Sequence, residues 1–226
     1  MLNHLAIIMD GNRRWGKKNS MSLQASYETG AQNVKHIVEA IIKKNIKNLT
    51  LYTLSKENLN RPDIEIKIIF SILLQYIENE IENFKKNGIR LKIIGNLSTL
   101  PDYIRKKIIY AQEQTAENSN LNLFIAFSYS GREEIIDAVK AYIQNNENID
   151  NLNEESLTKY MYAPNMSEVD LLIRTGGDMR ISNFLLWHIK YAELYFTKKY
   201  WPEFNAEQLD LAINEYNLRK RNFGVR

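Results

Sequence analysis

Cysteine is absent from this 226-residue chain, which excludes disulfides and thiolate metal sites. Histidine is scarce. His4, His36 and His188 are the three, and none stands in a motif for a histidine-rich metal site or a Ser-His-Asp triad. No Gly-x4-Gly-Lys-Ser/Thr pattern occurs, so a P-loop is excluded. No apolar run reaches the ~18 residues of a membrane-spanning helix. The first apolar run is also too short, and too soon followed by charge, to be a secretory signal. Net charge is only +3 and the Lys and Arg residues are scattered, so no nucleic-acid partner is expected. These absences point to a cytoplasmic chain whose contact with a membrane is confined to its surface.

What remains is an ordinary globular composition, with 44% hydrophobic and 25% charged residues. The length suits one domain over 1–226. Short apolar runs predict strands at 5–9, 48–54, 90–94, 121–127, 169–174 and 193–196. Amphipathic stretches between them predict a first helix from about Tyr27 and others at 64–86, 102–118, 132–145, 153–161, 181–190 and 206–222. Such alternation specifies an α/β fold, a parallel sheet with helices on its faces. The polar stretch 145–153 reads as a surface loop.

The helix at 64–86 is unusual. Lys67, Ser71, Gln75, Glu78 and Glu82 recur every three or four positions and form one narrow polar stripe. The rest of its circumference is apolar, more than a helix lying on a sheet requires. Either other elements cover the excess, or the helix lines an apolar cavity.

Chemistry gathers at three strand ends. The run "LAIIM" stops at Asp10-Gly11-Asn12-Arg13-Arg14. "LTLYTL" is followed by Ser55-Lys56-Glu57-Asn58-Leu59-Asn60-Arg61. "VDLLI" leads into Arg174-Thr175-Gly176-Gly177-Asp178, with Arg180 and Ser182 just beyond. Carboxyl ends of parallel strands share one edge, where ligands bind. Arginine forks match phosphate oxygens, and glycine lets backbone N–H groups approach an anion. Asp10, with Glu193, offers carboxylates to Mg²⁺, which favours a few such ligands together with phosphate and water. A diphosphate with Mg²⁺ is the expected ligand. Each cluster alone is an ordinary turn; their joint occurrence carries the reading. An unrelated Mg²⁺-dependent phosphate-ester enzyme fits these clusters equally well.

"HLAIIMDGNRRW", "LTLYTLSKENLNRP" and "VDLLIRTGGDMRISNFLLWHIKYAELYFTKKYWPEF" closely resemble the cis-prenyltransferase family, in particular its bacterial undecaprenyl diphosphate synthases. The resemblance spans nearly the whole chain. It implies a homodimer with a six-stranded, mostly parallel sheet and a hydrophobic tunnel. It also implies repeated cis addition of isopentenyl diphosphate to farnesyl diphosphate. The product would be a C55 diphosphate serving as lipid carrier for cell-wall glycans, with transient membrane contact for its release. A non-catalytic partner subunit of the same fold is the alternative within the family.

By the resemblance, Asp10 is the essential Mg²⁺-linked acid and Glu193 completes the metal site. Gly11, Asn12, Arg13, Arg14 and Trp15 surround the allylic diphosphate. Ser55 and Glu57 belong to a mobile segment beside it. Asn58 assists proton removal and Arg61 supports that site. Arg174, Arg180 and Ser182 bind the isopentenyl diphosphate. The chain departs from the family pattern at Leu23 and Tyr27, where Arg and His are usual, and at Leu59, where Trp is usual. It departs again at Asp178-Met179 (usually Glu-His), at Ser128 to Arg132, and at Asn222. Leu121, at the start of its strand, is expected near the closed end of the tunnel.

Overall fold

The computed structural model describes residues 2–220, so Asn222 lies outside the described residues. Its centre is the first strand, β1 (His4–Ile8), every residue of which is buried. A strand covered on both faces reads as an unbroken apolar run rather than an alternation. Five further strands join it: β2 (Asn48–Ser55), β3 (Ile89–Ile94), β4 (Leu121–Tyr129), β5 (Leu171–Arg174) and β6 (Glu193–Phe196). Their order is β3-β4-β2-β1-β5-β6, and every pairing is parallel. The chain works outward from β1 to one side through β2, then returns to the other side with β5. The crevice between the carboxyl ends of β1 and β5 is therefore the topological switch point, the favoured ligand position in such sheets.

Helices α1 (Asn12–Lys18), α2 (Leu23–Lys43), α3 (Asp63–Asn87), α4 (Asp102–Gln114), α5 (Gly131–Gln144), α6 (Glu154–Thr158) and α7 (Ala206–Leu218) complete the domain. Alternate β1 residues divide the interior. Leu5 and Ile7 face a large core built with α2, α3, α4 and α7, whereas Ala6 and Ile8 face a second core that includes Phe184 and Leu185. Among the described residues, no helix is long and apolar enough to cross a membrane.

The polar stripe of α3 is its solvent face, with Lys67, Ser71, Gln75, Glu78 and Glu82 all exposed. Ile69, Leu73, Ile77 and Phe84 are buried opposite. The helix is closed by Gly88 in the left-handed region (φ +66°), a conformation glycine adopts without steric cost.

Three expectations need correction. A helix, α1, begins at Asn12 where the sequence suggested only a strand end. α2 starts at Leu23 rather than Tyr27, because the Ser22 hydroxyl caps it by accepting from the Ala25 N–H at 3.1 Å. Residues 181–190 are not helical. Ser182, Asn183 and Leu185 have φ of 50°, 60° and 46°, which a right-handed helix cannot contain. The apolar spacing there arises because Phe184, Leu185 and His188 are buried through successive turns.

Candidate active site

The residue that sets the geometry is Gly11. It has φ +111°, and a Cβ placed there would lie 2.6 Å from Cδ1 of Tyr200. No other residue lets the chain turn out of β1 into α1 so close to that ring. The turn presents Asp10 at the switch point. Its Oδ1 accepts from Nη2 of Arg14 at 2.9 Å, and its Oδ2 accepts from Nη2 of Arg174 at 2.9 Å. Burial alone would raise the Asp10 pKa, but these two guanidinium groups outweigh it and hold the carboxyl below its ordinary range. The hydroxyl of Thr175 donates to the Asp10 carbonyl at 2.7 Å and fixes the backbone.

Arg174, the last residue of β5, is 4% exposed. Its Nη1 donates to the Ser182 hydroxyl at 2.7 Å and to the Arg180 carbonyl, while its Nε is buried without a partner. The left-handed turn at Ser182 brings that hydroxyl back to the strand end. Asp178 stands beside Asp10. Its Oδ2 accepts from Arg180 at 2.9 Å and lies 3.6 Å from the same Arg14 and Arg174 nitrogens that hold Asp10.

The third strand end closes the other side. Ser55 Oγ accepts from the Asn58 N–H at 3.1 Å. Arg61 donates to Glu65 at 3.0 Å and to the Tyr27 hydroxyl at 2.9 Å, and that hydroxyl donates to Glu65 at 2.7 Å. Arg13 approaches the same carboxylate at 3.7 Å. Burial first, then the Glu65 bond, pushes the Tyr27 pKa up, so the hydroxyl remains a donor. Tyr27→Phe removes one donor from the 2%-exposed Glu65. Its expected cost is about 1–2 kcal/mol of folding stability. An unchanged urea midpoint would show that the hydroxyl supports nothing.

Together these elements line a single cleft. Asp10, Gly11, Asn12, Arg13, Arg14, Ser55, Asn58, Arg61, Arg174, Arg180 and Ser182 line it as anticipated. Trp15 is half-buried on α1 and does not line it. Glu57 faces away to Asn183, which donates to it at 3.0 Å. Burial alone would raise the Glu57 pKa, but this bond, with smaller contributions beside it, leaves it lowered.

Within this chain Glu193 does not reach Asp10. It is the first residue of β6, in register with Leu171, and its carboxylate accepts from Arg219 at 2.8 Å. Three residues of strand, roughly 10 Å, separate it from the level of Arg174. Sequence reasoning missed Glu65, and placed Thr175 and Asp178 in the third cluster without giving either a role. The position of Asp178 directly after the Gly-Gly turn was the available signal. Met179, where the family usually has His, is 77% exposed.

The cleft contains five guanidinium groups (Arg13, Arg14, Arg61, Arg174, Arg180) against three carboxylates (Asp10, Glu65, Asp178). That surplus suits a multiply charged anion. The cleft does not end there. Met9, Asn12, Tyr27 and Thr53 line both it and an apolar cavity between α2 and α3. At this junction Asn12 Oδ1 and Thr53 Oγ1 are buried without hydrogen-bond partners. A family model described as putative undecaprenyl diphosphate synthase matches residues 8–224. The chain belongs to this family.

Relatives of the undecaprenyl diphosphate synthase family resemble it end to end. An isoprenyl transferase of Rickettsia typhi is 43% identical over all of this chain and 99% of its own length. One from Fusobacterium nucleatum is 42% identical over 98% and 95%. Among solved structures, a probable undecaprenyl diphosphate synthase from Campylobacter jejuni superposes with a TM-score of 0.84 at 38% identity, covering 99% of each chain. Lavandulyl diphosphate synthase from Lavandula x intermedia, solved with dimethylallyl diphosphate, gives 0.93 at 32% identity over 98% of each. The chain is thus a transferase of this family, with a single α/β domain. The fold expected from the resemblance holds, and its sheet is parallel throughout.

Leu121 was expected near the closed end of the tunnel. It is fully buried in the large core and does not line the apolar cavity, whose deepest strand residues are Leu51 and Ile125. Leu121→Ala is expected to cost ~2–5 kcal/mol of stability, as for a packed core leucine, and to leave product length alone. A shift in product length would restore it as a tunnel residue.

Proposed function

We propose that this transferase condenses isopentenyl diphosphate repeatedly, in cis, onto farnesyl diphosphate to give undecaprenyl diphosphate, a lipid carrier for cell-wall glycans. The observation that supports this most is the continuity of a cationic cleft with an apolar cavity. A substrate with a charged head and an isoprenoid tail needs both, in contact.

In this reading Arg13 and Arg14 hold the allylic diphosphate near β1. Arg174, Arg180 and Ser182 hold the isopentenyl diphosphate at the end of β5. The growing chain extends between α2 and α3. The allylic C1–O bond breaks, the isopentenyl double bond attacks C1, and a proton leaves the neighbouring carbon. Guanidinium groups stabilise the charge that develops on the departing diphosphate. Asn58 is a neutral amide and a poor base, so it orients the isopentenyl unit while the released diphosphate takes the proton.

Asp10 and Asp178, which share Arg14 and Arg174 as partners, are the carboxylates of the cleft that would hold Mg²⁺ there. Mg²⁺ favours such a pair with phosphate and water, and when bound it would supply additional neutralisation of the leaving group. Two copies of the chain would form a homodimer, and product release would bring it briefly to a membrane surface. Labelled isopentenyl diphosphate tests the reading. Incorporation into extractable lipid of C55 length, abolished by a chelator, is expected. No incorporation with farnesyl diphosphate present would refute it.

A further inference from the structure

We propose that Asn183 is a positioning residue: seated on α5, it ties the segment that carries Asn58 to the turn that carries Ser182, so that the two sides of the isopentenyl site keep one spacing. This deepens the reading above and rests on its assignment of that site. The tie runs through chain neighbours. Ser182 precedes Asn183, and Glu57 precedes Asn58. The Asn183 amide donates to Glu57 Oε1 at 3.0 Å. Asn58 and Ser182 both line the cleft.

One end of the tie is fixed. The Asn183 carbonyl accepts from the Gly131 N–H at 2.9 Å, and its Oδ1 accepts from the Arg132 N–H at 3.0 Å. These are the first two N–H groups of α5, which have no partner inside the helix. The left-handed φ of 60° is one that Asn adopts more readily than most residues. With the side-chain oxygen committed to α5, the amide nitrogen faces the opposite way. It donates to Ser130 Oγ at 2.8 Å as well as to Glu57. Ser130 lies in the stretch 128–132 where this chain departs from the family pattern. Its hydroxyl also caps α5 by accepting from the Glu133 N–H at 3.4 Å. The departure therefore supplies the seat for Asn183.

The other end needs holding. Asn58 belongs to the 3-10 turn Glu57–Asn60, in which no residue is buried. Lys56, just before it, pairs with Glu133 of α5 at 2.6 Å, but its side chain is half exposed. A lysine is a point charge on a flexible stem and fixes direction poorly. Asn183 instead presents an oriented donor to a carboxylate, a stronger and more directional contact.

The experiment is a double-mutant cycle in the full chain with Asn183→Asp and Glu57→Gln. It reads kcat and KM for isopentenyl diphosphate, and separately KM for farnesyl diphosphate. Asn183→Asp keeps both acceptors for α5 and adds negative charge at a helix N-terminus, where it is favoured. Its melting temperature should stay near that of wild type. It loses the donor and sets a second carboxylate against Glu57. The kcat/KM for isopentenyl diphosphate is expected to fall about tenfold, a coupling usual within one hydrogen-bond network, while KM for farnesyl diphosphate stays within about twofold. In the Glu57→Gln background the glutamine amide can donate to the new carboxylate, so the same substitution is expected to cost about threefold or less. An equal cost in both backgrounds, or no loss in Asn183→Asp, overturns the tie. Equal damage toward both substrates overturns a positioning role at the isopentenyl site. A wild type that transfers no isopentenyl unit overturns the reading beneath it instead.

Discussion

Asp10→Ala should reduce prenyl transfer by about a hundred- to a thousandfold, the scale seen when one group that preorganises the stabilisation of developing charge is lost. The carboxylate accepts from both Arg14 of α1 and Arg174 of β5, each at 2.9 Å. Its loss also reaches the fold. Removing it leaves the buried Arg174 with Ser182, the Arg180 carbonyl and an Asp178 oxygen at 3.6 Å. A stability loss of about 1–3 kcal/mol is therefore expected as well. Asp10→Asn separates the two effects. It retains an oxygen acceptor for one arginine but loses the charge, so its melting temperature should fall less than that of the alanine variant. Its turnover should fall almost as far. Turnover of Asp10→Asn above a tenth of wild type would rule out an essential charge at this position.

Acid should destabilise the fold well before its carboxylates titrate. His4 is fully buried, with Nδ1 donating to the Ser167 carbonyl at 2.7 Å and Nε2 accepting from the Thr50 hydroxyl at 2.8 Å. Burial lowers its pKa to about 4, although the nearby Asp170 acts in the opposite direction. His188 is also lowered to about 4, by burial first, then by His4 and Lys190, and its Nε2 has no partner. In the unfolded chain both would titrate near 6.5. Between pH 6.5 and 4 the unfolded state therefore binds more protons than the folded one. Stability is complete above pH 6.5 and declines as pH falls toward 4, by about 3 kcal/mol for one such imidazole. The depressed carboxyl of Asp10 adds a further loss at lower pH, since its contribution vanishes as pH falls through its folded value. Urea unfolding at pH 7.5, 6.0 and 5.0 tests this, and His188→Gln should flatten the slope. Equal stability at pH 7.5 and 5.0 would mean that the imidazoles are not held neutral.

The central strands were legible because burial on both faces leaves little but apolar residues. β6 was located to the residue, and β1 within one position at each end. Helix ends were less so. The start of α2 depends on a serine side chain, and α1 on a left-handed glycine that reads as a simple turn. The false helix at 181–190 shows how apolar spacing misleads. Phe184, Leu185 and His188 have helical spacing, yet Asn183 fixes a different path. Its amide donates to Ser130 and Glu57 and accepts from the Arg132 N–H. The strand-end clusters converged because a parallel sheet aligns carboxyl ends. Glu193 did not join them because it begins its strand instead of ending it. The bond between Tyr27 and Glu65 was not legible because helix faces from distant segments bring them together.

The central position of β1 also orders events in time. Its pairing with β2 needs only the first 52 residues, but its other edge stays open until Leu171–Arg174 exists. Asp10 and Arg174 are 164 residues apart in sequence and meet only when that second edge closes. Non-local parallel pairing of this kind is slow, because loop closure precedes the contacts that reward it. A nascent chain therefore carries half a sheet, with an unsatisfied strand edge at its middle, through most of its synthesis. The cleft is among the last features to assemble, and a truncated product ending before β5 would contain Asp10 without the arginine that positions it.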